Sequence, residues 1–107
     1  MNQTQSNGSI MGYFVAMGDE QFKKGESVTT GRGGVFFKKE DLVSTLDENR
    51  VLQKNQLKII EVKVPEDAIS NKNCSKFGIK SGKNIPVIRI QSFEKAKNEV
   101  MVESTVA

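Results

Sequence analysis

The chain contains no histidine. That absence removes the Ser-His-Asp triad, the Cys-His pair and every imidazole acid or base, so any catalysis rests on Glu, Asp, Lys, Arg, Tyr or Ser. Cys74 is the single cysteine. No intrachain disulfide can form, and a structural zinc site lacks its four nitrogen or sulfur ligands, so no metal is expected. Cys74 reads as a plain loop thiol, and a chain without disulfides suits a reducing, cytoplasmic compartment. Tryptophan is absent and hydrophobic residues make up only 36% of the 107 positions. One domain of this length still hides about 65% of its unfolded surface, enough for one modest core. Arginine is scarce, three against thirteen lysines, and the net charge is +3. This mild basic excess permits contact with RNA, DNA or acidic lipid, but a dedicated duplex reader carries more arginine. No apolar run approaches the roughly 20 residues that span a bilayer, and Met1–Ile10 lacks an apolar signal core. The expected organisation is a flexible polar lead over 1–10 and a single domain over 11–107, with no membrane partner.

What is present reads as short strands. Residues 11–17 are an apolar run of strand length that stops at a Gly18-Asp19 turn signal. Residues 19–24 fit a helical turn closed by Gly25, and 27–34 a mobile Gly/Thr loop. Val35-Phe36-Phe37 fits a short strand, and Leu42, Val43 and Leu46 behind it lie at helical spacing. Residues 50–56 read as a polar connection with Val51 and Leu52 as an anchor. Residues 57–64 alternate most clearly, with Leu57, Ile59, Glu61 and Lys63 facing one way and Lys58, Ile60, Val62 and Val64 the other. Pro65 ends that strand and opens a helical turn. Residues 70–83 read as a long loop, 86–90 as a strand, 92–97 as a turn or helical piece, 98–103 as a closing strand and 104–107 as tail. The sum is a small α+β domain with about five mostly antiparallel strands, about two short helices and long loops.

Five constellations could carry chemistry. Tyr13 in the first strand and Glu99 in the closing one would line one cleft if those strands are neighbours; the plainer reading is a core aromatic and a solvated strand-edge carboxylate. Arg32 stands among Gly31, Gly33 and Gly34, whose backbone N–H groups could cradle a phosphate; the spacing matches neither the dinucleotide fingerprint nor the P-loop, and a flexible loop explains it too. Lys38-Lys39 could meet RNA phosphates, although Glu40-Asp41 beside it suits a solvated helix face. Glu61 shares a face with Leu57 and Ile59 and would need a partner if buried. Arg89, Gln91 and Ser92 could bind a phosphate or a peptide, or simply form a solvated sheet face.

The order Gly12-Tyr13-Phe14-Val15-Ala16-Met17, Lys23-Lys24-Gly25, Gly33-Gly34-Val35-Phe36-Phe37 with a helix behind it, then Lys58-Ile59-Ile60-Glu61-Val62-Lys63-Val64-Pro65-Glu66-Asp67 resembles the ADP-ribosyltransferase-like fold of small bacterial polymorphic toxin domains. The resemblance runs from residue 12 to about 103 and rests on common strand and turn patterns. It implies an NAD-utilising toxin or effector, either an ADP-ribosyltransferase or an NAD glycohydrolase. NAD would be co-substrate, the partners would be an unknown protein or RNA target and an immunity protein, and the chain could be delivered into a target cell. Arg32, Gly33, Gly34, Phe36 and Phe37 would then bind the cofactor, the two phenylalanines near the segment that stacks on nicotinamide. Glu99 would be the late glutamate that stabilises an oxocarbenium-like ribose. Tyr13 would occupy the first-strand position where many such enzymes carry His or Arg, and here the chain departs from the pattern.

Two other function classes fit the same residues. One is a His-free ribonuclease toxin or RNA-binding module, with Lys38, Lys39, Arg32, Arg89 and Tyr13 holding RNA. The other is a non-enzymatic interaction domain whose sheet edge pairs with a partner.

Overall fold

The computed structural model describes residues 8–17, 21–29, 31–50 and 54–106. Seven strands and two helices follow in chain order: β1 (Ser9–Ala16), β2 (Ser27–Val28), β3 (Arg32–Phe36), α1 (Lys39–Glu48), β4 (Lys58–Pro65), β5 (Ile69–Lys72), β6 (Lys76–Ile79), β7 (Ile85–Ser92) and α2 (Phe93–Val106). Short 3-10 turns occupy Lys54–Gln56 and Glu66–Ala68. The strands form one sheet in the order β2-β7-β4-β1-β3-β6-β5, and every pairing is antiparallel. The α+β class follows the sequence, and the strand count exceeds the expected five.

The alternation in β4 sets the two faces. Ile60, Val62 and Val64 are fully buried on the inner face, together with Phe14, Val28, Val35, Phe77, Ile79, Ile85 and Val87. These side chains come from both ends of the strand order, and neither helix contributes to the cluster. The sheet therefore curls until its inner face closes on itself. Gly12 leaves room on the inner face of β1 for side chains of the next two strands, β3 and β6: a Cβ there would lie 2.7 Å from Val35 Cγ1 and 2.9 Å from Phe77 Cζ. The other face takes the helices. Leu42, Val43 and Leu46 of α1, and Phe93 and Ala96 of α2, bury against Phe36, Leu57 and Ile59, with Tyr13, Val15 and Val100 at the margin.

The structure corrects several sequence expectations. Residues 98–103 are helix, not a closing strand, and α2 runs through the expected tail to Val106. The Ser92 hydroxyl accepts the Lys95 N–H at 3.2 Å and so caps the helix start. Phe93, Ala96 and Val100 then form one inward stripe. Val100 and Val102 suggest alternation only when that stripe is overlooked. The expected loop over 70–83 contains the hairpin of β5 and β6, with Cys74 exposed in its turn. The expected loop over 27–34 contains β2 and the start of β3. β1 begins at Ser9, opposite Pro65, so residues 9 and 10 belong to the sheet and not to the expected lead. Of the expected helical turn over 19–24, residues 19 and 20 lie outside the described part, 21–23 take no regular structure and Lys24 lies in a turn. The Val51-Leu52 anchor also lies outside it. Among the described residues no helix is long and apolar enough to cross a membrane.

Candidate functional site

Residues directly opposite each other in an antiparallel pair point to the same face. Tyr13 of β1 is opposite Glu61 of β4, and Glu61 is opposite Arg89 of β7. These three form a row across the helix-covered face. Ile59, opposite Gln91, lies in the neighbouring same-face row. The Arg89 guanidinium donates to Glu61 Oε1 from Nε at 3.2 Å and from Nη2 at 3.0 Å. That Nη2 also stands 3.7 Å from Glu99 Oε1 on α2.

Glu99 is gripped from two sides. Lys39 Nζ, from the first turn of α1, donates to its Oε1 at 2.6 Å. Gln91 Nε2 donates to its Oε2 at 2.7 Å, and Gln91 Oε1 accepts from Lys39 at 3.4 Å. Gln91 is 5% exposed, the one buried polar side chain among the described residues. A buried carboxamide needs both partner types, and this one has both. The Lys39 hydrogen bond holds the Glu99 carboxyl below its ordinary range; partial burial opposes that effect, and the Lys39 charge, Gln91 and Arg89 add to it. Glu99 is therefore an ionised, positioned carboxylate at neutral pH.

This carboxylate opens on a cleft of about 600 Å³ lined by Lys39, Arg89, Lys95, Asn98, Glu99 and Val102. Three cations and one anion surround the space. Such a wall suits a ligand that carries phosphate and develops positive charge at a second point. Among the described residues no three His, Cys, Asp or Glu side chains gather as a metal site.

The structure thus brings Lys39, Arg89 and Glu99 to one cleft, although α2 rather than a neighbouring strand delivers Glu99; Tyr13 stands on the same face two strands from Arg89, packed against the helix-side core, and is not among the residues lining that cleft. It does not bring the expected cofactor set to the same place. Arg32 turns to the inner side, its guanidinium carbon 4.4 Å from the Phe14 ring centroid and 5.3 Å from that of Phe22. Phe36 is buried beneath the helices, whereas Phe37 packs on Phe77 at 4.8 Å and joins the inner core. Gly33 and Gly34 line a different hollow. Lys38 is exposed just before α1. Lys95 and Asn98 were not among the expected site residues. With Glu99 and Val102 they follow i, i+3, i+4, i+7 spacing, a signal that emerges once 93–106 is read as helix.

Comparisons with protein-family models, curated proteins and solved structures return no match.

Proposed function

We propose that the helix-side cleft binds a dinucleotide of the NAD type and cleaves its nicotinamide–ribose bond. One observation carries the reading: a fixed, ionised Glu99 opens on a space otherwise rich in cations. In such a reaction nicotinamide departs with the bonding electron pair, and the ribose C1′ gains positive charge. The Glu99 carboxylate stabilises that charge and accepts a ribose hydroxyl. Water then adds to C1′ and loses a proton, giving ADP-ribose, or the nucleophile of a target takes its place. Arg89 and Lys95 meet the pyrophosphate. Lys39 and Gln91 are positioning residues that hold Glu99.

The test is nicotinamide release by the purified chain. Glu99→Gln is expected to lower turnover about a hundredfold or more. Lys95→Gln is expected to raise KM while leaving kcat nearly unchanged. No nicotinamide release from the folded wild-type chain would overturn the proposal.

The convergence of Lys39, Arg89 and Lys95 favours a second reading, in which the cleft holds an RNA backbone. RNA cleavage, or RNA binding that weakens steeply with salt, without NAD turnover, is its signature. Neither activity would leave the interaction-domain reading.

A further inference from the structure

The glycine pair that drew attention in the sequence is not part of the Glu99 cleft, but it has a setting of its own. Between the Arg32–Ile79 and Val35–Phe77 pairs of β3 and β6, two residues of β3, Gly33 and Gly34, oppose the single Gly78. This is a β-bulge, and Gly34 has φ +69. A bulge takes its extra residue out of the ladder and leaves its backbone groups open to another partner. Nothing lies within 4 Å of a Cβ built on Gly33 or Gly34, so both glycines face open space.

That space is a hollow of about 310 Å³ lined by Gly33, Gly34, Asn71, Asn73, Lys76, Phe77 and Gly78. Among the described residues no carboxylate lines it. Lys76 is exposed, with Nζ 5.2 Å from the Phe36 ring centroid. The Asn73 main chain is already engaged, its N–H donating to the Lys76 carbonyl at 2.7 Å, which anchors the hairpin carrying both asparagines and the lysine. An ammonium, two carboxamides and the glycine backbone of the bulge around one cavity make a donor-rich surface with no anionic side chain among its described lining residues. We propose that this hollow is a second ligand site, separate from the Glu99 cleft, and that it binds a small oxyanion of the phosphate type. Lys76 supplies the charge, and Asn71, Asn73 and the Gly33-Gly34 backbone supply directional donors.

The proposal is independent of NAD turnover and is tested without it. Inorganic phosphate is titrated into the full chain while backbone amide shifts are followed by NMR, with acetate in a parallel arm to distinguish a tetrahedral from a planar oxyanion. Saturable shifts centred on Gly33, Gly34, Gly78 and the 71–76 hairpin are expected, and Lys76→Gln should weaken phosphate about fivefold to tenfold. Gly33→Ala places a methyl in the open space, so it should keep the fold and weaken phosphate by a similar factor. Glu99→Gln should leave phosphate binding at the hollow unchanged. Linear shifts spread over many lysines, or Lys76→Gln and Gly33→Ala variants that bind like the wild type, would overturn it.

Discussion

Replacing Gly12 with alanine probes how tightly the inner face packs over β1. The new methyl would stand 2.7 Å from Val35 Cγ1, 2.9 Å from Phe77 Cζ and 3.4 Å from Val62 Cγ2. Ordinary carbon contacts lie near 3.5–4.0 Å, so two of the three neighbours must move. Val35 is 0% exposed and Phe77 2% exposed, which leaves neither an empty space to swing into. Overpacking of this kind costs about 1–3 kcal/mol. Alanine returns roughly 0.4–1 kcal/mol by restricting the unfolded chain, and the upper half of the overpacking range applies because two rigid side chains are struck at once. The expected net loss is about 2 kcal/mol, or roughly 8–16 °C in Tm for a domain of this size. Gly33→Ala is the matched control, with nothing within 4 Å of its Cβ, and it should leave Tm within about 2 °C of the wild type. Thermal and urea unfolding of both variants checks the pair. A Gly12→Ala protein as stable as the wild type would refute the close approach of β1, β3 and β6 on the inner face.

Other expectations follow from the same geometry. The folded Glu99 carboxyl titrates below its ordinary value of about 4.3, so the stabilisation it provides is complete above that pH and is lost as pH falls through the lower folded value. The stability difference between wild type and Glu99→Gln should therefore shrink on acidification below about pH 5, and a pH-independent difference in urea midpoints would contradict this. Lys39→Met removes the main cause of the lowering, and the Glu99 carboxyl resonance should then titrate at higher pH. Ile60→Ala empties a fully buried inner-face site and should cost about 2–5 kcal/mol. Lys97→Met breaks only a solvent-washed pair with Asp47, 3.0 Å apart with side chains 38% and 43% exposed, and should change stability by less than about 1 kcal/mol.

Much of the framework was legible in the chain. β4 announced itself because Ile60, Val62 and Val64 alternate with Glu61 and Lys63, and burial follows that alternation. α1 was legible from Leu42, Val43 and Leu46, and Pro65 marked the turn after β4. The hairpin of β5 and β6 was not. Its edge strand, Ile-Ser-Asn-Lys, shows solvent three exposed polar residues, and such a strand is held by backbone pairing, which leaves no apolar period. α2 was misread because its outward residues include Met101 and Val102, both more than half exposed, which blurs the helical stripe. The site was half legible: Glu99, Lys39 and Arg89 drew attention as charged residues in promising contexts. The hydrogen bonds that join Lys39, Gln91 and Glu99 span 52 and 60 positions between Lys39 and its partners, a connection that only the folded sheet supplies.

The claim that the helix-side cleft is the working site is tested most directly by titrating NAD into the intact chain and following every backbone amide. Saturable shifts concentrated on Arg89 and residues 95–102 are expected, reduced in Lys95→Gln and absent from the Gly33-Gly34 hollow when phosphate fills it. Shifts that stay linear to millimolar NAD, or that saturate only away from α2 and β7, would contradict it.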